Sequence, residues 1–140
     1  MTEENHAISN AQGWASTIVE LYHAQQKLEE DDSQVVEVDG EKYHSVDELL
    51  DRVQEMPLSV QVREDWKDPG AEGEVTEFNI LLSAGGPALR IIGDLDQNNQ
   101  PADPQMQWQD WGTLWTDFDS DLEDASEALA WFCEQFYFGD

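Results

Sequence analysis

The residues that could do chemistry in this chain are overwhelmingly carboxylates. Thirty-two Asp and Glu stand against 6 Lys and Arg and 3 His, a formal net charge of −26. Two stretches concentrate them. Glu64, Asp65, Asp68, Glu72, Glu74 and Glu77 lie on or beside one loop, with Lys67 among them. Asp117, Asp119, Asp121, Glu123, Asp124 and Glu127 follow one another with no base at all. From 68 to 140 there are sixteen acids and one base, Arg90. Carboxylates in such numbers can act as paired acids and bases, hold a hard cation, or present an anionic surface to a basic partner.

The first two chemistries have stringent requirements. A glycosidase needs two carboxyls in one cleft at about 5–10 Å, one of them with a raised pKa. Among 32 acids such a pair arises by chance, so pairing specifies nothing. Asp117-Phe118-Asp119-Ser120-Asp121 matches the opening of a calcium-binding EF-hand loop. That loop then needs Gly at its sixth position and a bidentate Glu at its twelfth, where this chain has Leu122 and Ala128. Asp94, Asp96 and Asn98 start the same pattern and fail at Asn99 and Gln105. The sequence therefore predicts no dedicated metal site and no cofactor.

Nucleophilic chemistry has equally little to work with. There is no Gly-x-Ser-x-Gly elbow, phosphate-binding Gly-rich loop or His-Glu-x-x-His. Cys133, the single cysteine, falls beside an apolar stripe, where a free thiol serves as a small hydrophobe. His23 borders an apolar helix face and reads as a boundary residue. Arg90, alone in an apolar strand, reads as structural rather than as an anchor for a ligand carboxylate. No residue is assigned a catalytic role, and the chain is read as a binding protein.

The third chemistry fits the charge. Self-repulsion at −26 destabilises a compact state. Either a saline cytoplasm screens it or a strongly basic partner surface maintains it. A domain of this length has a radius of gyration of roughly 14 Å and so a diameter near 37 Å. Duplex DNA carries about 22 charges over that length, the same order as the charge here. Trp108, Trp111 and Trp115 could stack bases, but single-strand binders also need a basic groove. Direct nucleic-acid binding is excluded on that ground. The rings are assigned mainly to packing, with one exposed Trp available to anchor an interface.

The elements that must position these acids read as follows. Residues 7–30 form an amphipathic helix through Ala7, Ala11, Trp14, Ala15, Ile18, Leu21, Tyr22 and Leu28. Residues 35–43 form a hairpin about Asp39-Gly40. Ser45 and Glu48 cap a helix over 46–55, stopped by Pro57. Leu58, Val60 and Val62 alternate as a half-buried strand, and 64–74 is an exposed loop. Strands follow over 75–83 and 88–93, then a polar loop over 96–104, then a fourth strand about Met106 and Trp108. A last helix opens at 119–121 on a second capping box, Ser120 and Glu123, burying Leu122, Ala125, Leu129, Phe132 and Phe136.

This order implies one α+β domain over 1–140: an antiparallel meander of about four strands, a small hairpin, and three helices packed on the sheet. No apolar run reaches the ~20 residues that span a bilayer. The N-terminus lacks the features of a signal peptide. A lone cysteine suits a reducing compartment. The expected location is cytoplasmic, without membrane binding. The long first helix could support a homodimer, although its apolar face is also needed to cover the sheet.

Gly85 to Gly93, Trp108 to Thr116, and Phe132 to Gly139 together resemble a family of small uncharacterised proteins carried by bacterial mobile elements. In size and charge the chain also resembles the DNA-mimic inhibitors that phages and plasmids direct at restriction or CRISPR systems. These resemblances imply an anti-defence protein occupying the basic nucleic-acid site of a defence enzyme, with the two acidic clusters as its contact residues. Alternatives are an acidic partner or immunity-type protein that binds one basic protein without mimicry, and a hydrolase using a carboxylate pair.

Overall fold

A computed structural model describes residues 6–31, 33–64, 66–71, 73, 75–84, 87–110 and 114–138. The elements are α1 (His6–Glu30), β1 (Val36–Val38), β2 (Glu41–Tyr43), α2 (Val46–Glu55), β3 (Ser59–Glu64), β4 (Val75–Ser83), β5 (Ala88–Leu95), β6 (Pro101–Gln109), β7 (Thr116–Phe118) and α3 (Ala125–Cys133). The fold is α+β. β1 and β2 make a two-stranded hairpin, and β3 to β7 make a five-stranded antiparallel meander in chain order.

The core lies between α1, α3 and one face of the sheet, and is extended along α1 by Val36, Val38 and Tyr43 of the hairpin and Leu49 and Val53 of α2. α1 buries Ala7, Ala11, Ala15, Ile18, Val19, Leu21, Ala24 and Leu28, a stripe at helical spacing. Its alanines leave room for close packing. α3 contributes Ala128, Trp131, Phe132 and Cys133. The sheet supplies Phe78, Ile80 and Leu82 from β4, Leu89, Ile91 and Leu95 from β5, and Met106 from β6. Alternation then turns Glu77, Asn79, Arg90, Ile92, Asp94, Gln105 and Gln107 to the opposite face. Both helices pack on β6, and α1 also on β5. The helical cover is thus centred away from β3.

Local signals set most boundaries. The Ser45 hydroxyl accepts from the Glu48 N–H at 3.2 Å, and the Glu48 carboxylate accepts from the His44 N–H at 2.8 Å. This reciprocal cap starts α2 where the sequence places it. Asp39 and Gly40 both take positive φ, as a primed two-residue turn requires.

Four expectations are corrected. First, β3 is an exposed edge strand rather than a half-buried one, with Leu58, Val60 and Val62 at 63%, 38% and 43% exposure. Second, β6 begins at Pro101 inside the expected polar loop. Asp94 pairs with Ala102 and Ile92 with Gln105, so an irregularity opposite Gly93 admits Asp103 and Pro104 without breaking the ladder. Third, a fifth strand, β7, follows. It pairs Met106 with Phe118 and Trp108 with Thr116, and no sequence signal marks it.

Fourth, the last helix starts at Ala125, not at 119–121. Ser120 Oγ accepts from the Leu122 N–H at 3.2 Å, a local turn that competes with helix initiation. Asp124 takes φ 64° at the N-cap and makes no side-chain cap bond. Leu122 and Phe136 consequently lie outside the helix, and Leu122 is 43% exposed.

Candidate anionic interface

No polar or charged side chain among the described residues is buried, so every described carboxylate remains at the surface. Glu64 closes β3 and lies 3.5 Å from Lys67 Nζ. Glu77 on β4 is ion-paired with Arg63 across the strand pair. Asp68 is exposed in the β3–β4 connection. Asp65, Glu72 and Glu74 of the first sequence cluster lie outside the described residues.

In the second cluster, Asp117 accepts from Gln107 Nε2 at 2.8 Å on the open face of the sheet. Asp119 accepts from Gln105 Nε2 at 3.2 Å just beyond β7. Asp121, Glu123 and Glu127 are exposed. Asp124 Oδ2 lies 2.9 Å from His23 Nε2 on α1, which ties the start of α3 to the first helix. The two clusters do not merge. β3 and β7 are opposite edges of the sheet, about 19 Å apart at ~4.8 Å per strand.

What lies between them is the part sequence reasoning missed. Asp94 stands directly opposite Glu77, and Leu95 opposite Pro101. The end of β3, the start of β4, the end of β5 and the start of β6 therefore share one end of the sheet. That end carries Glu64, Asp68, Glu77, Asp94, Asp96 and Asp103. Asp96 bends the β5–β6 connection by accepting from the Asn98 and Gln100 N–H groups at 2.8 and 3.0 Å. Asp119 continues the series toward α3. The connections at the other end, 84–87 and 110–115, contain one acid by sequence, Asp110. Spacing along the chain hid this polarity because only the meander's register aligns the four strands.

The open face behind this band is not featureless. A concavity of about 660 Å³ is lined by Arg63, Glu77, Asn79, Arg90, Ile92 and Asp94 among others. Arg90 Nε and Nη2 donate to Gln107 Oε1 at 3.0 and 2.8 Å, and its guanidinium sits 4.0 Å from the Trp115 ring centroid. Burial lowers its pKa. Arg90 forms no ion pair with a carboxylate among the described residues.

The other candidates for chemistry are placed as follows. Cys133 is fully buried, and burial, with Glu134 beside it, pushes its thiol pKa up, away from nucleophile or ligand duty. Asp117 lies in a strand, not in an EF-hand loop. Among the described residues no three His, Cys, Asp or Glu converge as a metal site. The carboxyls of Asp31 and Glu48 are held below their ordinary range by hydrogen bonds from Ser33 and His44 respectively. A general acid needs the opposite shift. Of the tryptophans, Trp131 is buried, Trp14 and Trp108 pack against the core, and Trp66 is 99% exposed. Trp111 lies outside the described residues. Among the described residues no helix is long and apolar enough to cross a membrane.

No protein-family model matches the chain, and comparison with curated proteins and with solved structures returns no match.

Proposed function

We propose that this protein is an acidic inhibitor that occupies the basic nucleic-acid site of another protein, with its carboxylates standing in for phosphates. Such a target would be a defence enzyme of the restriction or CRISPR kind, in keeping with the resemblances drawn from the sequence. One observation carries the reading. Carboxylates run across one end of the sheet from Glu64 through Glu77, Asp94 and Asp103 to Asp119, while the other end is almost free of them.

The density is of the right order. Five strands at ~4.8 Å make a band about 19 Å wide, and one nucleic-acid strand places five to six phosphates in roughly that length at 3.4 Å each. A band on hydrogen-bonded strands is also held in place, so little ordering entropy is lost when it meets Lys and Arg. Association would be steered by the anionic field and weakened by salt.

The test is affinity capture from bacterial lysate at low and high salt, with and without competing DNA. The probes are the wild-type chain and a variant carrying Asp94→Asn, Asp96→Asn, Asp103→Asn and Asp119→Asn. A nucleic-acid enzyme retained by the wild type, displaced by DNA and lost with the variant supports the reading. One specific partner that DNA does not displace moves it to an acidic binding protein without mimicry. Capture of only diffuse basic proteins, equal for both chains, rejects it.

A further inference from the structure

We propose that two copies of this chain pair through β3, antiparallel about a two-fold axis at Gln61, joining their sheets into one. β3 is hydrogen-bonded to β4 on one side only and presents its other edge to solvent. An unprotected edge is a template for a further strand.

Half of the exposed large apolar side chains among the described residues lie at this edge. Leu58, Val60, Val62 and Trp66 are 63%, 38%, 43% and 99% exposed, and they lie within nine residues of sequence. Val60 pairs with Ile80 and Val62 with Phe78, both of which are core residues. Cross-strand partners share a face. The two valines therefore continue the core face of the sheet past the edge of its helical cover.

The lack of acids along the edge and its self-matching valines fit a second copy as the occupant, despite the net repulsion between copies. Residues 56–63 contain no acid and one base, Arg63, in a chain of net charge −26. A basic target is drawn to the carboxylate band, not here. In an antiparallel pair centred on Gln61, Val60 meets the second copy's Val62 and Val62 its Val60. Arg63 meets Ser59, Trp66 meets Met56, and Glu64 meets Leu58 only at the margin of the contact, outside the paired valines. A register centred on Val62 would instead set Val60 against Glu64. The antiparallel arrangement also directs the two acidic sheet ends in opposite directions, each beside the other copy's acid-poor end.

This inference does not rest on the proposed target, and salt separates the two. Screening weakens an anionic protein's grip on a basic one but relieves repulsion between two anionic copies. The experiment is sedimentation velocity on the full chain from about 5 to 500 µM, the range suited to a contact of modest area. The wild type should shift from monomer to dimer with concentration, and further at higher salt. Val60→Glu with Val62→Glu places charge at positions already exposed, so the fold is retained by circular dichroism while the dissociation constant rises at least tenfold. The Gln61→Cys variant should cross-link to its own copy under mild oxidation, since Cys133 is buried and silent. A wild type that stays monomeric throughout overturns the proposal. So does a dimer indifferent to the two glutamates, or a Gln61→Cys variant that fails to cross-link.

Discussion

Arg90 and Trp115 face each other across the open side of the sheet, guanidinium over indole at 4.0 Å, at the far end of β5 from the carboxylate band. The same guanidinium donates to Gln107, and Gln107 donates onward to Asp117. In a chain so rich in acids, its one C-terminal arginine is thus held by an amide and a ring. It holds Trp115 against β5 and, among the described residues, forms no ion pair with a carboxylate.

Removing that arginine should loosen the β7 edge. Arg90→Ala forfeits a cation–π contact and two charge-assisted hydrogen bonds at a partly exposed site, a loss of about 1 kcal/mol. Arg90→Lys should recover less than half, because an ammonium cannot fork onto Gln107 while lying flat on the ring. Urea unfolding midpoints for the three chains measure this.

Gly93 is required by close approach. A Cβ there would lie 2.7 Å from Phe78 Cε1 and 2.9 Å from the Ala102 carbonyl oxygen. Phe78 is itself wedged against Phe138, with ring centroids 4.9 Å apart. Gly93→Ala should therefore destabilise by about 2 kcal/mol through overpacking. Thermal unfolding would reveal it, and Phe78→Leu should partly rescue the variant.

The like-charge pair Glu77 and Asp94 should cost stability. Carboxylates directly opposite on paired strands repel, and Arg63 is ion-paired with Glu77. Asp94→Asn should stabilise the fold by about 0.5 kcal/mol at low salt, with the gain shrinking as salt is raised. Chemical denaturation at two ionic strengths separates this from a packing effect. Under the proposed function the same substitution weakens target binding, so stability and activity change in opposite directions.

The α2 cap sets a pH dependence. The Glu48 carboxyl is held below its ordinary value of 4.5, first by the His44 backbone N–H and then by the His44 side chain. A depressed folded-state pKa contributes stability that is complete above the unfolded value and is lost as pH falls through the folded one. Glu48→Gln should flatten the acid limb of the stability curve below pH ~4.5. Carboxyl NMR titration of the wild type should place Glu48 below a typical glutamate.

Much of the architecture was legible because its signals are local. The Ser45 and Glu48 cap and the Asp39-Gly40 turn each specify a boundary within a few residues, and the α1 stripe needs only helical periodicity. The failures are those in which a distant residue decides. Val60 and Val62 alternate like any half-buried strand, and only the position of α1 and α3 over β5 and β6 leaves them uncovered. Pro101 and Pro104 read as loop because the irregularity that accommodates them is defined by pairing with β5. Ser120 and Glu123 satisfy a capping pattern, yet the Ser120 hydroxyl serves Leu122 instead. For the site, composition exposed the two clusters. Asp94, Asp96 and Asp103 join them only once the strand register is known.

The packing of α1 on α3 also sets an order of events during synthesis. Each sheet strand pairs with its neighbour in sequence, so the meander can form progressively as the chain emerges, through short-range contacts of the kind that fold quickly. The apolar stripe of α1 gains β1 and α2 as early partners, but they do not complete its cover. Its cover includes α3, and the His23–Asp124 contact spans 101 residues of sequence. A nascent chain stopped before 125 would hold an assembled hairpin and most of its strands beside a helix face that still lacks its α3 cover. The last nine-residue helix is the latch, and a ribosome that stalls before it leaves a chain that chaperones and proteases can still recognise as unfinished.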